Sequence, residues 1–292
     1  MQRVASGSIA VGAIVLAMKA AAWWMTGSAA LYSDALESVV NVVASVIALA
    51  ALVYAARPAD ANHPYGHEKV EFFSAAVEGA LIIMAAISIL QHAWTSWRDP
   101  VTLNAPWLAL GLTVVSTALN GGWAAVLMRT GRTQRSAALV ADARHLYSDV
   151  VTSVGILIGI GLVLLTGLRW LDPLAAAATA VHVLWSGLTV VRASVAGLMD
   201  EAPDPATMER IRLLVNTHAD GALEAHDLRT RHAGRITYLE FHLVVPGAMQ
   251  VDEAHAICDR VEAALKHEVE GLVVTIHVEP EGKAKHRGVL VL

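Results

Sequence analysis

Six long apolar segments fill the first two thirds of the chain and are separated by short polar connections. Each segment has at least about the 20 residues that an α-helix needs to cross a bilayer. The segments cover residues 4–26, 31–56, 70–97, 105–129, 137–167 and 171–198. The pattern therefore predicts a six-helix transmembrane domain over residues 1–199.

After residue 200 the hydrophobic period changes to that of a small soluble domain. The pattern predicts two helices and three strands, with a turn at Ala233 and Gly234, over residues 204–218, 224–232, 235–245, 250–268 and 272–279. In the second helix, apolar residues including Cys258 recur every three or four positions, so one face can cover a sheet. We therefore expect residues 200–292 to form a cytosolic α+β domain, with the ending 288–292 unassigned.

Composition agrees with a membrane protein that carries a soluble part. Hydrophobic residues make up 55% of the chain, charged residues only 16%, and the mean hydropathy is +0.52. Cys258 is the one cysteine, so a disulfide or a thiolate metal cage cannot form within one chain. Acidic residues outnumber basic ones after residue 200, which disfavours nucleic acid as a partner.

Basic residues fix the predicted orientation of the six spans. Arg57 and Lys69 flank the second connection, and Arg129, Arg132 and Arg135 crowd the fourth. Because cytoplasmic loops carry the excess of Lys and Arg, both termini are expected in the cytoplasm.

Ionisable residues interrupt the second and fifth spans, where each charge costs several kcal/mol. Glu37 and Asn41 are four residues apart, as are His145 and Asp149, so each pair projects from one helix face. By helical rise, all four lie near the middle of the ~30 Å hydrocarbon core. They predict a four-ligand cage, with cross-helix hydrogen bonding as the alternative. Asp34, near the start of its helix, fits a structural role or an entry path equally well.

One imidazole, two carboxylates and one amide oxygen suit a tetrahedral divalent ion such as zinc, whereas the lack of a thiolate disfavours Cu(I). The sequence has no GxxxxGK[ST] loop, so an ion gradient must drive any transport. His145 can exchange a proton for the metal. A membrane metalloenzyme is the rival class, but the spans lack a His-Glu-x-x-His pair and a Ser/Lys nucleophile arrangement, so we expect no enzyme and no cofactor.

Four motifs resemble the cation diffusion facilitator family, particularly its bacterial zinc and iron efflux branch. They are Trp23–Ser28, Pro58–His67, Ala141–Asp149 and Ala225–Arg231. The resemblance covers nearly the whole chain and implies a ferredoxin-like, metallochaperone-like cytosolic domain and a homodimer in a bacterial inner membrane. It also implies metal–proton antiport by alternating access, and it places the transport site at Glu37, Asn41, His145 and Asp149.

The resemblance implies three further sets of residues. A loop metal site matches Asp60, His63 and His67, with a solvated loop as the alternative. A two-metal site at the dimer junction matches residues on the cytosolic strands, with His255 on the second helix as a further ligand. Exposed strand histidines are the alternative. The set is His226, His242, His255, His277 and Glu279. Lys69 and Asp200 match an interlock where the two domains join.

The chain departs from the family pattern at the predicted cage. In the resembled branch the second of the two positions in this span is usually aspartate, whereas here the pair is Glu37 and Asn41. An amide removes one negative charge but keeps a hard oxygen, so the departure favours iron(II) or manganese(II) relative to zinc. Arg144, beside His145, is expected to point away from the cage. The predicted function is efflux of Zn²⁺ or Fe²⁺, with Mn²⁺ and Cd²⁺ as further candidates; the alternative is a membrane metal sensor without transport.

Overall fold

The structure is a computed structural model that describes residues 2–99, 106–133, 137–234, 236–285 and 289–290. Within these ranges the side chains are described except for residues 2–6, 131, 137–142, 144–145 and 289–290.

Six helices form the first part of the chain, and each is long and apolar enough to cross a membrane. They are α1 (Gln2–Thr26), α2 (Ala29–Ala55), α3 (Val70–Arg98), α4 (Pro106–Thr133), α5 (Ala137–Thr166) and α6 (Leu171–Leu198). Gly27 and Gly167 end α1 and α5 with φ of 69° and 73°, and their N–H groups donate to Trp23 O and Val163 O at 2.8 Å. The six predicted spans are confirmed.

Two kinds of contact hold these helices together. Gly79 on α3 and Gly187 on α6 let the two helices touch, because a Cβ on Gly79 would lie 3.1 Å from the carbonyl oxygen of Gly187. Asp172 at the start of α6 accepts hydrogen bonds from the N–H groups of Ala29 (2.7 Å) and Ala30 (3.3 Å). These are N–H groups that α2 leaves unpaired at its first turn, and unpaired groups are costly away from water.

The remaining elements form a sheet with two helices. They are α7 (Pro205–His218), β1 (Glu224–Ala233), β2 (Ile236–Val245), α8 (Val251–Glu268), β3 (Leu272–Pro280), a 3₁₀ turn (Glu281–Lys283) and β4 (Val289–Leu290). The strand order is β3-β2-β1-β4; β1 is antiparallel to β2 and β4, and β2 is parallel to β3 through the α8 crossover. The α+β fold is confirmed, and residues 289–290 of the unassigned ending pair with β1.

One face of this sheet carries the core of the domain. Leu239, Phe241 and Leu243 alternate along β2 and are essentially buried, and Val261 and Leu265 of α8 pack against them. Cys258 lies in the same cluster, and burial raises the pKa of its thiol. The thiol is therefore a packing group, as its position on the apolar stripe of the helix predicts.

Packing divides the chain into two compact units. The first contains residues 1–50 and 74–192, and the second contains residues 51–73 and 193–292. The second unit thus includes the loop between α2 and α3 and the adjoining helix ends in addition to the α+β domain. The domain boundary between residues 199 and 200 stays a prediction.

Replacing Phe241 by alanine should remove a large part of the core of the α+β domain. We expect the free energy of unfolding of this domain to fall by about 3–5 kcal/mol, because the cavity cannot fully collapse. Hydrogen–deuterium exchange of the full-length protein would show faster exchange throughout β1, β2 and β3. Val273→Ala, at a position 43% exposed, is the control; equal exchange in the two variants would contradict this account of the core.

Candidate metal-transport site and metal clusters

Polar side chains from α2, α5 and α6 line a small cavity among the membrane helices. The cavity has a volume of about 40 Å³ and its wall includes three of the four predicted cage residues, Glu37, Asn41 and Asp149. Asn41 and Asp149 also line a neighbouring cavity of about 50 Å³. The side chain of the fourth, His145, lies outside the described residues, as does that of Arg144, so their placement stays a prediction.

The contacts in this cavity leave a buried hydrogen-bond acceptor that no described donor pairs with. The Asn41 amide donates from Nδ2 to Asp149 Oδ2 at 2.7 Å, and Asp149 is only 3% exposed. The Oε2 atom of Glu37 is buried and has no hydrogen-bond partner among the described residues. Buried carboxylate oxygens are costly unless they are paired or bind a cation, so the cavity has the chemistry of a cation site. The Asn41 side-chain oxygen remains available as a further ligand.

His182 of α6 lines the same cavity, although no sequence motif assigns it to a site. It lies 11 residues into α6, about 16 Å by helical rise, which is close to the depth of Asn41 in α2. The available signal was a single imidazole in the middle of an apolar span, where ionisable groups are commonly functional.

A second residue that sequence reasoning missed is Lys19 of α1. Its side chain is 2% exposed, and its Nζ donates to Asp34 Oδ1 at 2.7 Å and to Ser153 Oγ at 3.1 Å. Ser153 in turn donates to Asp34 Oδ1 at 2.8 Å. Asp34 is therefore a member of a buried ion pair, which agrees with the structural role that its position near the helix start allowed. The signal was a lysine inside an apolar span of 20 residues.

The loop between α2 and α3 brings Asp60, His63 and His67 together as a cluster. One ligand atom from each lies within 4.8 Å of the others. Asp60 Oδ1 is 3.3 Å from His63 Nδ1, and Asp60 Oδ2 is 3.4 Å from His67 Nε2. His67 is buried and packs edge-on against Tyr54 at 4.9 Å, whereas the other two are exposed. One carboxylate and two imidazoles leave one position of a tetrahedral zinc site open.

Backbone N–H groups of this loop orient the Asp60 carboxylate. The N–H groups of Asn62 and His63 donate to Asp60 Oδ1 at 2.9 and 2.8 Å. The His63 backbone N–H is the main cause of an Asp60 pKa below its ordinary value, so the carboxylate stays ionised under mildly acidic conditions.

The same loop contacts the four-stranded sheet through two tyrosines and an arginine. Tyr238 of β2 donates its hydroxyl to Tyr65 O at 2.9 Å. The guanidinium of Arg231 lies over the rings of both tyrosines, 4.4 Å from Tyr238 and 4.8 Å from Tyr65. Tyr65 lies two positions before His67, so these contacts attach the loop cluster to the sheet.

Three histidines lie side by side across the four-stranded sheet, on the face opposite Phe241. His242 is in register with His226 on β1 and with His277 on β3, and the ring centroids are 5.3 and 4.9 Å apart. Glu279 approaches all three, at 3.3 Å from His242 Nδ1, 3.4 Å from His226 Nε2 and 3.8 Å from His277 Nε2. Four of the five predicted residues of this set therefore meet.

His255, the fifth residue of that set, is not brought to the cluster within one chain. It lies on α8, which covers the Phe241 face of the sheet, and its nearest charged partner is Asp259 at 3.6 Å. Within one chain a helix on one face of the sheet cannot reach a site on the other face, so the part of His255 in a site at the dimer junction stays a prediction.

Two acidic residues join the cluster without having been predicted. Glu224 Oε1 lies 3.0 Å from His226 Nδ1; it is two residues earlier on the same strand, so period-2 alternation could have identified it. Asp227 comes within 4.8 Å of His226 and His242 because a bulge follows His226 and gives Asp227 a φ of 54°. No sequence pattern predicts that bulge. A hydrogen bond from Lys285 holds the Asp227 pKa below its ordinary value.

The predicted pair Lys69 and Asp200 is also in contact, with Lys69 Nζ 2.8 Å from Asp200 Oδ1. Both side chains are more than one third exposed, so the contact alone contributes little to stability. Its role as an interlock stays a prediction.

Comparison with known proteins agrees with this architecture. Residues 7–199 match the family described as the cation efflux transmembrane domain, and residues 203–281 match the cation efflux protein cytoplasmic domain. The chain belongs to the cation efflux family, the cation diffusion facilitators that the sequence motifs resemble, and is a multi-pass membrane protein of a transporter family.

Two relatives and one solved structure illustrate the range of similarity. A Synechocystis protein named uncharacterized transporter sll1263 is 40% identical over 273 residues, covering 94% of this chain and 88% of its own. The cation-efflux pump FieF of Yersinia pestis is 32% identical over 281 residues, covering 96% and 93%. A structure of CzrB in its zinc form is 53% identical, covers 30% of this chain and 98% of its own, and has a TM-score of 0.28.

Removing one central imidazole should test the cytosolic cluster. In His242→Ala we expect the full-length protein to lose at least about one bound zinc ion per chain, because His242 is the histidine shared by both neighbours. Titration against a chromophoric zinc chelator measures this. His267→Ala, an exposed histidine of α8 outside the cluster, is the control; identical zinc content in both variants would rule the cluster out as a metal site.

Proposed function

We propose that this chain exports divalent transition-metal ions, Zn²⁺ or Fe²⁺ first and Mn²⁺ or Cd²⁺ next, in exchange for protons. The metal is the substrate, and the transport site consists of Glu37, Asn41, His145 and Asp149. The observation that carries the proposal is the cavity in which Glu37, Asn41 and Asp149 meet among the membrane helices. The relatives' names, cation-efflux pump and transporter, support the same activity.

The contact between Asn41 and Asp149 supports a site that alternates between a metal-bound and a metal-free state. Without metal, the Asp149 carboxylate accepts the Asn41 amide hydrogen at 2.7 Å. A divalent ion bound by Asp149 would compete for that oxygen, and the ligands that bind it must be deprotonated. The proposed proton carrier is His145, which would lose a proton when metal binds and regain one after metal release, while the Asn41 amide returns to Asp149. Alternating access around this fixed site would exchange metal for protons.

The proposed assembly is a homodimer in a bacterial inner membrane with both termini in the cytoplasm. His255 supports a dimeric cytosolic site, because it is 74% exposed and lies apart from the cluster of its own chain. It could then reach only the cluster of a second subunit. The loop cluster and the sheet cluster would bind metal on the cytosolic side, with Lys69 and Asp200 as the interlock.

A metal sensor without transport is the second candidate. The two clusters outside the membrane helices favour it, because they can bind metal whether or not ions cross the membrane. The cavity among the helices favours transport, since a sensor has no need of acceptors at that depth.

Proton-driven metal uptake into proteoliposomes tests transport directly. We expect flux that follows an imposed pH gradient, and Asp149→Ala should reduce it by about a hundredfold or more, because the variant loses a charged ligand from a low-dielectric site. Asp99→Ala, which removes an exposed carboxylate just after α3, is the control and should transport normally. Metal binding by the wild type without flux of any ion would favour the sensor.

Restoring the missing carboxylate tests the role of Asn41 in selectivity. In Asn41→Asp we expect the KM for zinc to fall by about tenfold relative to iron(II) and manganese(II), because a third carboxylate increases the attraction for zinc most. Competitive flux with paired metals measures the preference. Asn120→Asp introduces a carboxylate at another buried amide, which lines the neighbouring cavity, and should not reproduce the shift. An unchanged ranking in Asn41→Asp would remove Asn41 from the selectivity determinants.

A further inference from the structure

The membrane helices bury the ammonium group of Lys19, which has no role in the proposed transport cycle. The Lys19 ammonium is held by Asp34 at 2.7 Å and Ser153 at 3.1 Å, and the Lys19 and Asp34 side chains are 2% and 1% exposed. The three residues come from α1, α2 and α5. We call them the lysine triad. A buried ammonium with two partners is a fixed charge, because leaving this site would cost it both hydrogen bonds.

The lysine triad lies about one helical turn from the proposed cage. Asp34 precedes Glu37 by three residues on α2, and Ser153 follows Asp149 by four residues on α5. Both displacements point toward the ends of α2 and α5 that the charge distribution predicts to be external. At this range the ammonium interacts electrostatically with Asp149 and with Glu37. On the predicted orientation, Lys19 therefore lies between the cage and the external ends of these helices.

Charge balance shows what Lys19 does to the cage. When metal is bound, the ligand carboxylates of Glu37 and Asp149 are ionised. With Asp34 the region carries three negative charges, and the Lys19 ammonium reduces the sum to two. Two negative charges neutralise one divalent ion, whereas three in a low dielectric would hold it too tightly to be released.

We propose that Lys19, tethered by Asp34 and Ser153, is a positioning residue that matches the net charge around the transport site to one divalent ion and so permits its release. The proposal rests on the proposed function for the identity of the cage. A purely structural ion pair would stabilise the helices but leave the affinity for metal and the rate of release independent of the sign of the charge removed.

The charge model predicts opposite effects for the two halves of the ion pair. Lys19→Met leaves three negative charges, so the KM should fall by about tenfold while kcat falls by a similar factor. Asp34→Asn leaves one negative charge, so the KM should rise by about tenfold. The double variant Lys19→Met/Asp34→Asn has again two negative charges and should recover most of both parameters. Thr113→Val removes a buried hydroxyl of α4 that belongs to neither the lysine triad nor the cage, so it should change either parameter by less than about threefold.

The experiment is zinc flux in proteoliposomes for the full-length wild type and these four variants, combined with zinc-binding calorimetry on each. The Asp149→Ala protein gives the contribution of sites outside the cage to binding. The expected order of affinity is Lys19→Met, then wild type and double variant together, then Asp34→Asn. Rescue by the double variant is the signature, because a structural ion pair broken twice gains nothing from the second substitution.

Two outcomes would overturn the proposal: a double variant no better than the worse single variant, or single variants that shift the affinity in the same direction. If Lys19→Met fails to fold, Asp34→Asn and the double variant still give the comparison. Failure of the proposed function is recognised separately, since a wild type that binds zinc at the cage without flux would still show the affinity order. If Asp149→Ala binds as much zinc as the wild type, both the cage and the charge model are rejected.

Discussion

Burying ionised side chains among apolar helices is the constraint on which the membrane part of this protein depends. Each carboxylate there requires a partner, because no water is present to solvate it. Asp172 receives the first N–H groups of α2, and Asp34 receives Lys19 and Ser153. Asp149 takes the Asn41 amide. These partners belong to a different helix from their carboxylate, so the same contacts hold the bundle together.

The three places with metal-binding chemistry share their donor types but differ in how the fold presents them. The cavity among the helices uses residues four apart on α2 and α5, so helical periodicity supplies the geometry. The loop uses a turn in which backbone N–H groups orient Asp60. The cytosolic cluster uses strand register, which aligns His226, His242 and His277 across the sheet. The loop and the sheet are joined by Arg231, whose guanidinium lies over the rings of Tyr65 and Tyr238.

Much of this could be predicted because the signals are local. The six spans follow from runs of apolar residues about as long as a bilayer is thick, and the strands and α8 follow from the change of period after residue 200. Glu37, Asn41 and Asp149 were identifiable because an ionisable or amide group at membrane depth is costly and four-residue spacing places each pair on one face. The loop and sheet histidines were identifiable from motifs that resemble the family.

The sequence alone determined the number and bounds of the membrane helices, the order of the cytosolic elements and most of the candidate ligands, since these depend on spacing along one segment. Tertiary structure decided which segments meet. It paired Lys19 with Asp34 across two helices, placed His182 on the cavity wall, separated His255 from the cluster and turned Asp227 toward it through a bulge. Contacts between distant segments depend on helix packing and strand register, which no local period encodes.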